Sequence, residues 1–247
     1  MRYSQANLIS THFTALAESY KCIGDQTWLA NDFMVSNLAS SRQLYEVESL
    51  QSSNPRPKSL EVYALLSGLP FAEDLIDALQ DIQLSITEII GNTSSYYWVQ
   101  PQNLGLEYCV FKWPDEAWHA TWSTLIEQAI SQIDLPAYQF DIRGVQINPD
   151  GCVVARGFDH EKTLFNIREH MKAELPFLPA RQSTWAHIPL GRILQPVGTA
   201  RFDKLATFIQ SLESKAIAST EIDTLRFIRE TRWYMEEHET LSTYSLR

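Results

Sequence analysis

Apolar and polar positions along the chain fall into short buried-looking runs separated by longer stripes at helical spacing. Residues 1–50 carry apolar positions such as Phe33, Leu38, Leu44 and Val47 among polar neighbours, without a Gly or Pro after Gly24. This pattern predicts helices. Gln51-Ser-Ser-Asn-Pro-Arg-Pro-Lys58 has the turn-rich composition of a linker. It divides the sequence into an N-terminal helical extension with its linker, 1–58, and a main domain, 59–247.

In the main domain the two periodicities alternate. Leu60–Leu66 suits a buried strand, and Leu75, Leu79, Ile82, Ile86 and Ile89 then recur as one face of a helix. Leu104–Trp113 reads as a strand. Asp115 is placed to cap a following helix with Trp118, Trp122, Leu125, Ala129 and Ile133 along one stripe. Tyr138, Phe140 and Ile142 alternate with polar residues, the mark of a half-buried strand. The turn Asn148-Pro149-Asp150-Gly151 then leads into a partner strand, Cys152–Gly157. Asp159 caps a helix bearing Leu164, Ile167, Met171 and Leu175. Thr184–Leu194 is the next strand, Phe202 to Leu212 another helix, and Thr224–Tyr234 with Leu241–Leu246 a closing hairpin. The order β-α-β-α-β-β-α-β-α-β-β implies two lobes, each a sheet with helices packed on one side.

The apolar fraction of 45% and charged fraction of 20% are those of a globular chain. A formal charge of −10 opposes binding of extended nucleic acid by the surface as a whole. It leaves room for a small basic pocket. No run approaches the ~18 consecutive apolar residues of a membrane span. The polar start Met1-Arg2-Tyr3-Ser4-Gln5 lacks the apolar core of a signal peptide, so the expected location is the cytoplasm. Cys22, Cys109 and Cys152 are far apart, without CxxC spacing. They are read as free thiols rather than a disulfide framework or zinc site. No cofactor or metal is expected.

Three stretches carry a resemblance. They are Trp98-Val-Gln-Pro-Gln-Asn-Leu-Gly-Leu-Glu-Tyr108, Phe140-Asp-Ile-Arg-Gly-Val-Gln-Ile-Asn-Pro-Asp-Gly-Cys-Val-Val-Ala155 and Trp185-Ala-His-Ile-Pro-Leu-Gly-Arg-Ile193. Together, over about residues 59–247, they resemble the two-histidine phosphoesterases, the class that includes bacterial RNA 2′,3′-cyclic phosphodiesterases. The resemblance implies an α+β, bilobal fold, with antiparallel or mixed sheets flanking a central cleft; the N-terminal helical extension lies outside it. It further implies a His-x-Thr or His-x-Ser on a central strand of each lobe. One histidine takes a proton from the attacking oxygen, the other protonates the leaving oxygen, and the hydroxyls hold the phosphate without a metal. At the first motif this chain has Gly105-Leu106-Glu107, and at the second His187-Ile188-Pro189. Histidine and hydroxyl are absent from the first, and the hydroxyl from the second. His12-Phe13-Thr14 and His119-Ala120-Thr121 also match the triplet, but about one is expected by chance. Both fall in segments read as helical, where residues two apart point away from each other.

His187 and Glu107 are therefore the candidate catalytic pair. An imidazole and a carboxyl lining one cleft could exchange protons; the plainer reading pairs Glu107 with Arg192 or Arg232. Arg192 is a candidate phosphate contact. Tyr97, Trp185 and Trp233 are candidate ligand-binding aromatics, set against ordinary packing. The leading reading is a remodelled phosphoesterase-like protein that binds a nucleotide or other small phosphorylated ligand without ordinary phosphodiesterase activity. The second is an active, metal-independent cyclic phosphodiesterase using His187 with Glu107. The third is a protein-interaction module with a vestigial cleft, whose partner docks on the N-terminal extension.

Overall fold

The computed structural model describes residues 2–52, 54–91 and 95–247, with side chains from Thr11 onward. Among these residues the helices are α1 (Arg2–Thr27), α2 (Val35–Arg42), α3 (Glu73–Ile90), α4 (Thr121–Ser131), α5 (Thr163–Glu174) and α6 (Thr199–Ser211). The strands are β1 (Ser59–Gly68), β2 (Tyr96–Trp98), β3 (Gly105–Lys112), β4 (Tyr138–Ile147) and β5 (Cys152–Asp159). They continue with β6 (His187–Ile193), β7 (Ala216–Ile222), β8 (Thr224–Arg232) and β9 (Glu237–Ser245).

Two antiparallel sheets result, ordered β3-β1-β8-β9 and β2-β6-β5-β4-β7. The strand carrying Gly105 and the strand carrying His187 thus belong to different sheets. Helices cross between them: α3 follows β1 but packs with α6 and β7, whereas α5 follows β5 but packs on β3. Gln83 of α3 donates to the Val99 and Leu190 carbonyls at 3.0 and 2.9 Å. The seam between the sheets is closed by polar contacts. Arg168 of α5 donates to the carbonyls of Tyr108 (2.7 Å), Glu107 (2.8 Å) and Trp185 (2.8 Å). The Tyr108 and Tyr138 hydroxyls bond across the same seam at 2.6 Å.

Both motif strands carry a β-bulge at the same offset. Leu66 lies opposite Glu107 and Leu65 opposite Cys109, leaving Tyr108 as the extra residue. Val154 lies opposite Pro189 and Val153 opposite Gly191, leaving Leu190 as the extra residue. A bulge shifts the alternation of side chains by one residue. Leu106, Tyr108, Cys109 and Phe111 therefore join the main core, as do Ile188, Leu190 and Ile193. The opposite faces present Gly105, Glu107 and Val110 on β3 and His187, Pro189 and Arg192 on β6. Gly191 at the second bulge has no room for a side chain, since a Cβ there would sit 2.2 Å from the Tyr97 carbonyl oxygen.

Several expected elements differ. The helix expected from Asp115 begins only at Thr121. The Glu116 carboxylate instead accepts from the Trp113 amide (2.8 Å), closing a turn. Trp118 stacks on Tyr63 at 3.7 Å from the preceding loop, and His119 lies in that loop rather than in a helix. The strand expected from Thr184 starts at His187. Asp159 does serve the start of α5, accepting from the amides of Glu161 (3.0 Å) and Leu164 (2.7 Å). Strand β7 has no counterpart among the expected elements; Ala-Ile-Ala-Ser-Thr-Glu-Ile is a small and polar edge sequence with few buried positions. Residues ahead of β1 join the main core through Leu16, Tyr20, Phe33, Leu38, Tyr45 and Leu50.

Replacing Arg168 with Met keeps the length of the side chain but leaves three carbonyls at the seam without their donor. Unmade hydrogen bonds of this kind cost about 1–3 kcal/mol each at worst, and partial rescue by water lowers the sum. Arg168→Met is expected to lose about 2–4 kcal/mol in urea unfolding. A loss within about 0.5 kcal/mol, as at ordinary surface sites, would refute the role given to Arg168.

Candidate functional site

A cavity of about 390 Å³ opens between the two sheets. All four positions matching the paired motifs line it: Gly105, Glu107, His187 and Pro189. The floor on the β1 side is apolar, formed by Val62, Ala64 and Leu66, with Trp113, Trp233 and Met235 at the sides. Arg181, Gln182 and Ser183, ahead of β6, also line it, as do Arg192 toward the far end of β6, Cys152, Tyr234 and Leu44.

The Nδ1 of the His187 ring is enclosed without a hydrogen-bond partner among the described residues. Burial, with the charges of Arg168 and Arg192, pulls its pKa down to about 4, so the ring is neutral near pH 7. Burial raises the Glu107 carboxyl, opposed by Arg168 and Arg181. Glu230 lies on β8 of the same sheet, with β1 between it and β3, and is 1% exposed. Burial pushes its pKa up to about 8; the Met235 amide, donating at 2.9 Å, opposes this and the Glu107 charge adds to it. At neutral pH the cavity therefore contains a neutral imidazole at His187 and a protonated carboxylic acid at Glu230.

The expected partners of Glu107 require correction. Arg192 pairs with Asp150 at 2.7 Å, and Arg232 with Glu46 (2.9 Å) and Glu237 (2.8 Å). Neither reaches Glu107, whose field comes instead from Arg168 and Arg181. No hydrogen bond joins Glu107 to His187 among the described residues, although one cavity holds both. Arg192 lines the cavity but is engaged by Asp150 and by the hydroxyls of Ser41 and Tyr234. Trp233 lines the cavity; Tyr97 and Trp185 do not appear among its lining residues. Tyr97 is buried, its hydroxyl donating to Glu236 and its ring beside Tyr45 and Tyr234. Trp185 donates to the Ser19 hydroxyl at 2.8 Å and meets the His187 ring edge-on at 5.7 Å.

Sequence reasoning missed Glu230, Arg181 and Trp113. Glu230 left a signal: it is a charged residue at a buried position of a strand whose Leu225, Phe227 and Ile228 are also buried. Arg181 and Trp113 left none, because only folding stacks the guanidinium on the indole, 4.3 Å from its centroid. Arg181 forms no ion pair among the described residues and is exposed. Among the described residues, no group of three or more His, Cys, Asp or Glu side chains could hold a metal ion, and no helix is long and apolar enough to cross a membrane.

The two acid–base shifts act on stability in opposite directions. An unfolded histidine titrates near 6.5 and folded His187 near 4, so the unfolded chain binds more protons between these values. Its contribution is lost as pH falls through that window. Glu230 moves from an ordinary 4.5 to about 8, so the folded chain binds more protons there. Stability is then lost as pH rises toward 8. Glu230→Gln is expected to abolish this alkaline decline, measured by urea unfolding across a pH series. An unchanged slope would show that Glu230 does not carry the proton.

Comparison with known proteins places this geometry in a familiar fold. No family model matches the chain, and no curated protein matches it. Among solved structures, TT0787 of Thermus thermophilus is 15% identical, with 76% of this chain and 98% of that chain covered and a TM-score of 0.52. A conserved protein of unknown function from Agrobacterium tumefaciens is 11% identical over 78% of this chain and 89% of that one, with a TM-score of 0.52. Escherichia coli LigT complexed with phosphate is 11% identical over 76% and 99%, with a TM-score of 0.50. The fold is that of the two-histidine phosphoesterases.

Proposed function

We propose that this chain binds a small phosphorylated ligand, with a nucleotide as the reference case, and does not turn over ordinary phosphodiesters. The observation that carries the reading is the set of four motif positions meeting in one cavity, of which only His187 retains an imidazole. A volume of about 390 Å³ lies in the range of small-molecule sites. A protein of the same fold, LigT, has been crystallised with phosphate.

Metal-free cleavage by an acid and a base needs two groups that exchange protons at the same ester. Gly105 offers none and Pro189 has no hydroxyl for a phosphate oxygen. Each missing acid or base typically removes about 10²–10⁴-fold in rate. Binding is less affected. Protonated Glu230 and the His187 ring can donate hydrogen bonds to phosphate oxygens, and Arg181 supplies positive charge at the mouth. Glu107 opposes an anion only while ionised, and a bound phosphate would raise its pKa further.

One feature favours the active-enzyme reading: a neutral imidazole and a carboxyl of raised pKa share the cavity, an arrangement suited to proton transfer. Turnover of 2′,3′-cyclic nucleotides, lost on His187→Ala, would establish that reading instead.

Calorimetric titration with inorganic phosphate and adenosine monophosphate tests the binding. Binding is expected to strengthen as pH falls below neutrality, with proton uptake visible as a dependence on the buffer's ionisation heat. Arg181→Gln should weaken it about tenfold, the loss of one charge-assisted hydrogen bond. Absence of binding by both ligands would refute the proposal, as would robust turnover of cyclic nucleotides by the unmodified chain.

A further inference from the structure

The two ends of the cavity are built differently. At the Arg181 end the cation is exposed and stacks on Trp113. At the other end, five residues along β6 from His187, the wall is completed by Leu44, which comes from the segment ahead of β1.

That segment is pinned from several directions. The Lys58 amide donates to the Leu44 carbonyl (2.8 Å) and the Glu46 amide to the Arg56 carbonyl (2.9 Å). Arg42 donates to the Leu194 carbonyl at the end of β6 (2.9 Å). Arg232 of β8 reaches both the Glu46 carboxylate (2.9 Å) and the Pro57 carbonyl (2.7 Å). Tyr45 is fully buried, its ring 5.5 Å from Tyr97 and 6.3 Å from Tyr234. The Arg192 guanidinium joins this wall, held by Asp150 at 2.7 Å and by the hydroxyls of Ser41 and Tyr234. The segment is thus tied to both sheets, and Arg192 locks the wall in place. The structural match to the Thermus protein spans 98% of that chain yet leaves about a quarter of this one uncovered, a share comparable to the segment ahead of β1.

We propose that Leu44 and Arg192, the latter held by Ser41, close one end of the cavity and make ligand length the selected property. A single phosphorylated unit enters from the Arg181 end, whereas a ligand extending beyond the Arg192 end is excluded. The physical reason is that a polymer bound at an internal unit must leave its site in two directions. A blind-ended cavity supplies one. This inference rests on reading the cavity as a site for a phosphorylated ligand, but the closed end itself is testable without any ligand.

Cys152 lies at that end and is 8% exposed, which makes its thiol a reporter of access. In a Cys22→Ser background, which removes the exposed thiol, its reaction would be followed by mass spectrometry under mildly alkaline conditions. The reagents are methyl methanethiosulfonate and the bulkier 5,5′-dithiobis(2-nitrobenzoate). Leu44→Ala, and independently Ser41→Ala, are expected to raise the rate with the bulky reagent by about tenfold or more, because access limits reaction of an enclosed thiol. Protection of buried Cys109 in the same samples shows that each variant remains folded. Equal rates in the parent and both folded variants would overturn the closed end.

Calorimetry with adenosine monophosphate and an adenylate trinucleotide then tests the selection. The parent should bind the monophosphate at least about tenfold more tightly, a gap narrowed in Leu44→Ala. Equal affinity for both ligands in the parent overturns length selection. Failure of the parent to bind either refutes the phosphorylated-ligand reading and the selection built on it, while the thiol rates still decide whether the end is closed.

Discussion

The donation of three hydrogen bonds by one guanidinium, Arg168, at the seam between the sheets is the constraint on which the cavity depends. The carbonyls of Glu107 and Tyr108 belong to β3, and that of Trp185 lies just ahead of β6, a strand of the other sheet. Carbonyls withdrawn from water must find donors, and here one planar fork from α5 serves both sides. Its charge also reaches the cavity, lowering the pKa of His187 and opposing the rise of Glu107. Spacing of the sheets and electrostatics of the cavity thus share one side chain.

The matched bulges at Tyr108 and Leu190 act on top of that spacing. Without them, regular alternation would turn Arg192 away from the cavity and Val110 away from the apolar cluster under it, and break the apolar runs that fill the core. With them, each motif strand serves two environments: bulky side chains behind, chemistry in front. The equal offsets in the two sheets make the cavity walls correspond, position by position. What differs is the residue at each position, and that difference separates Gly105 from His187 in chemical capacity.

The charge states of Glu230 and His187 follow from burial more than from composition. The chain carries −10 overall, yet Glu230 holds its proton near neutrality and His187 lacks one. Taking a charge out of water costs more than protonating a carboxyl or deprotonating an imidazole at pH 7. The cavity is therefore better supplied with hydrogen-bond donors than its two glutamates suggest.

The sequence by itself determined most of the periodic elements and their order, while its resemblance to a known family implied the bilobal α+β architecture and the motif positions. The elements depend on local spacing, as in Leu75 to Ile89 at helical intervals and Phe140 and Ile142 in alternation, and the resemblance rests on the flanks of Gly105 and His187. Asp159 at the start of α5 was legible for the same reason, since a cap lies close in sequence to the amides it serves. The delayed start of α4 was not, because Trp118 is held by stacking on distant Tyr63. Nor was the fate of Arg192, whose partners Ser41, Asp150 and Tyr234 come from three separate parts of the chain. Tertiary structure alone decided that Glu107 has neither Arg192 nor Arg232, and that Glu230 and Leu44 line the cavity. Ion pairs and cavity walls are set by groups far apart in sequence, and no local periodicity encodes which of them meet.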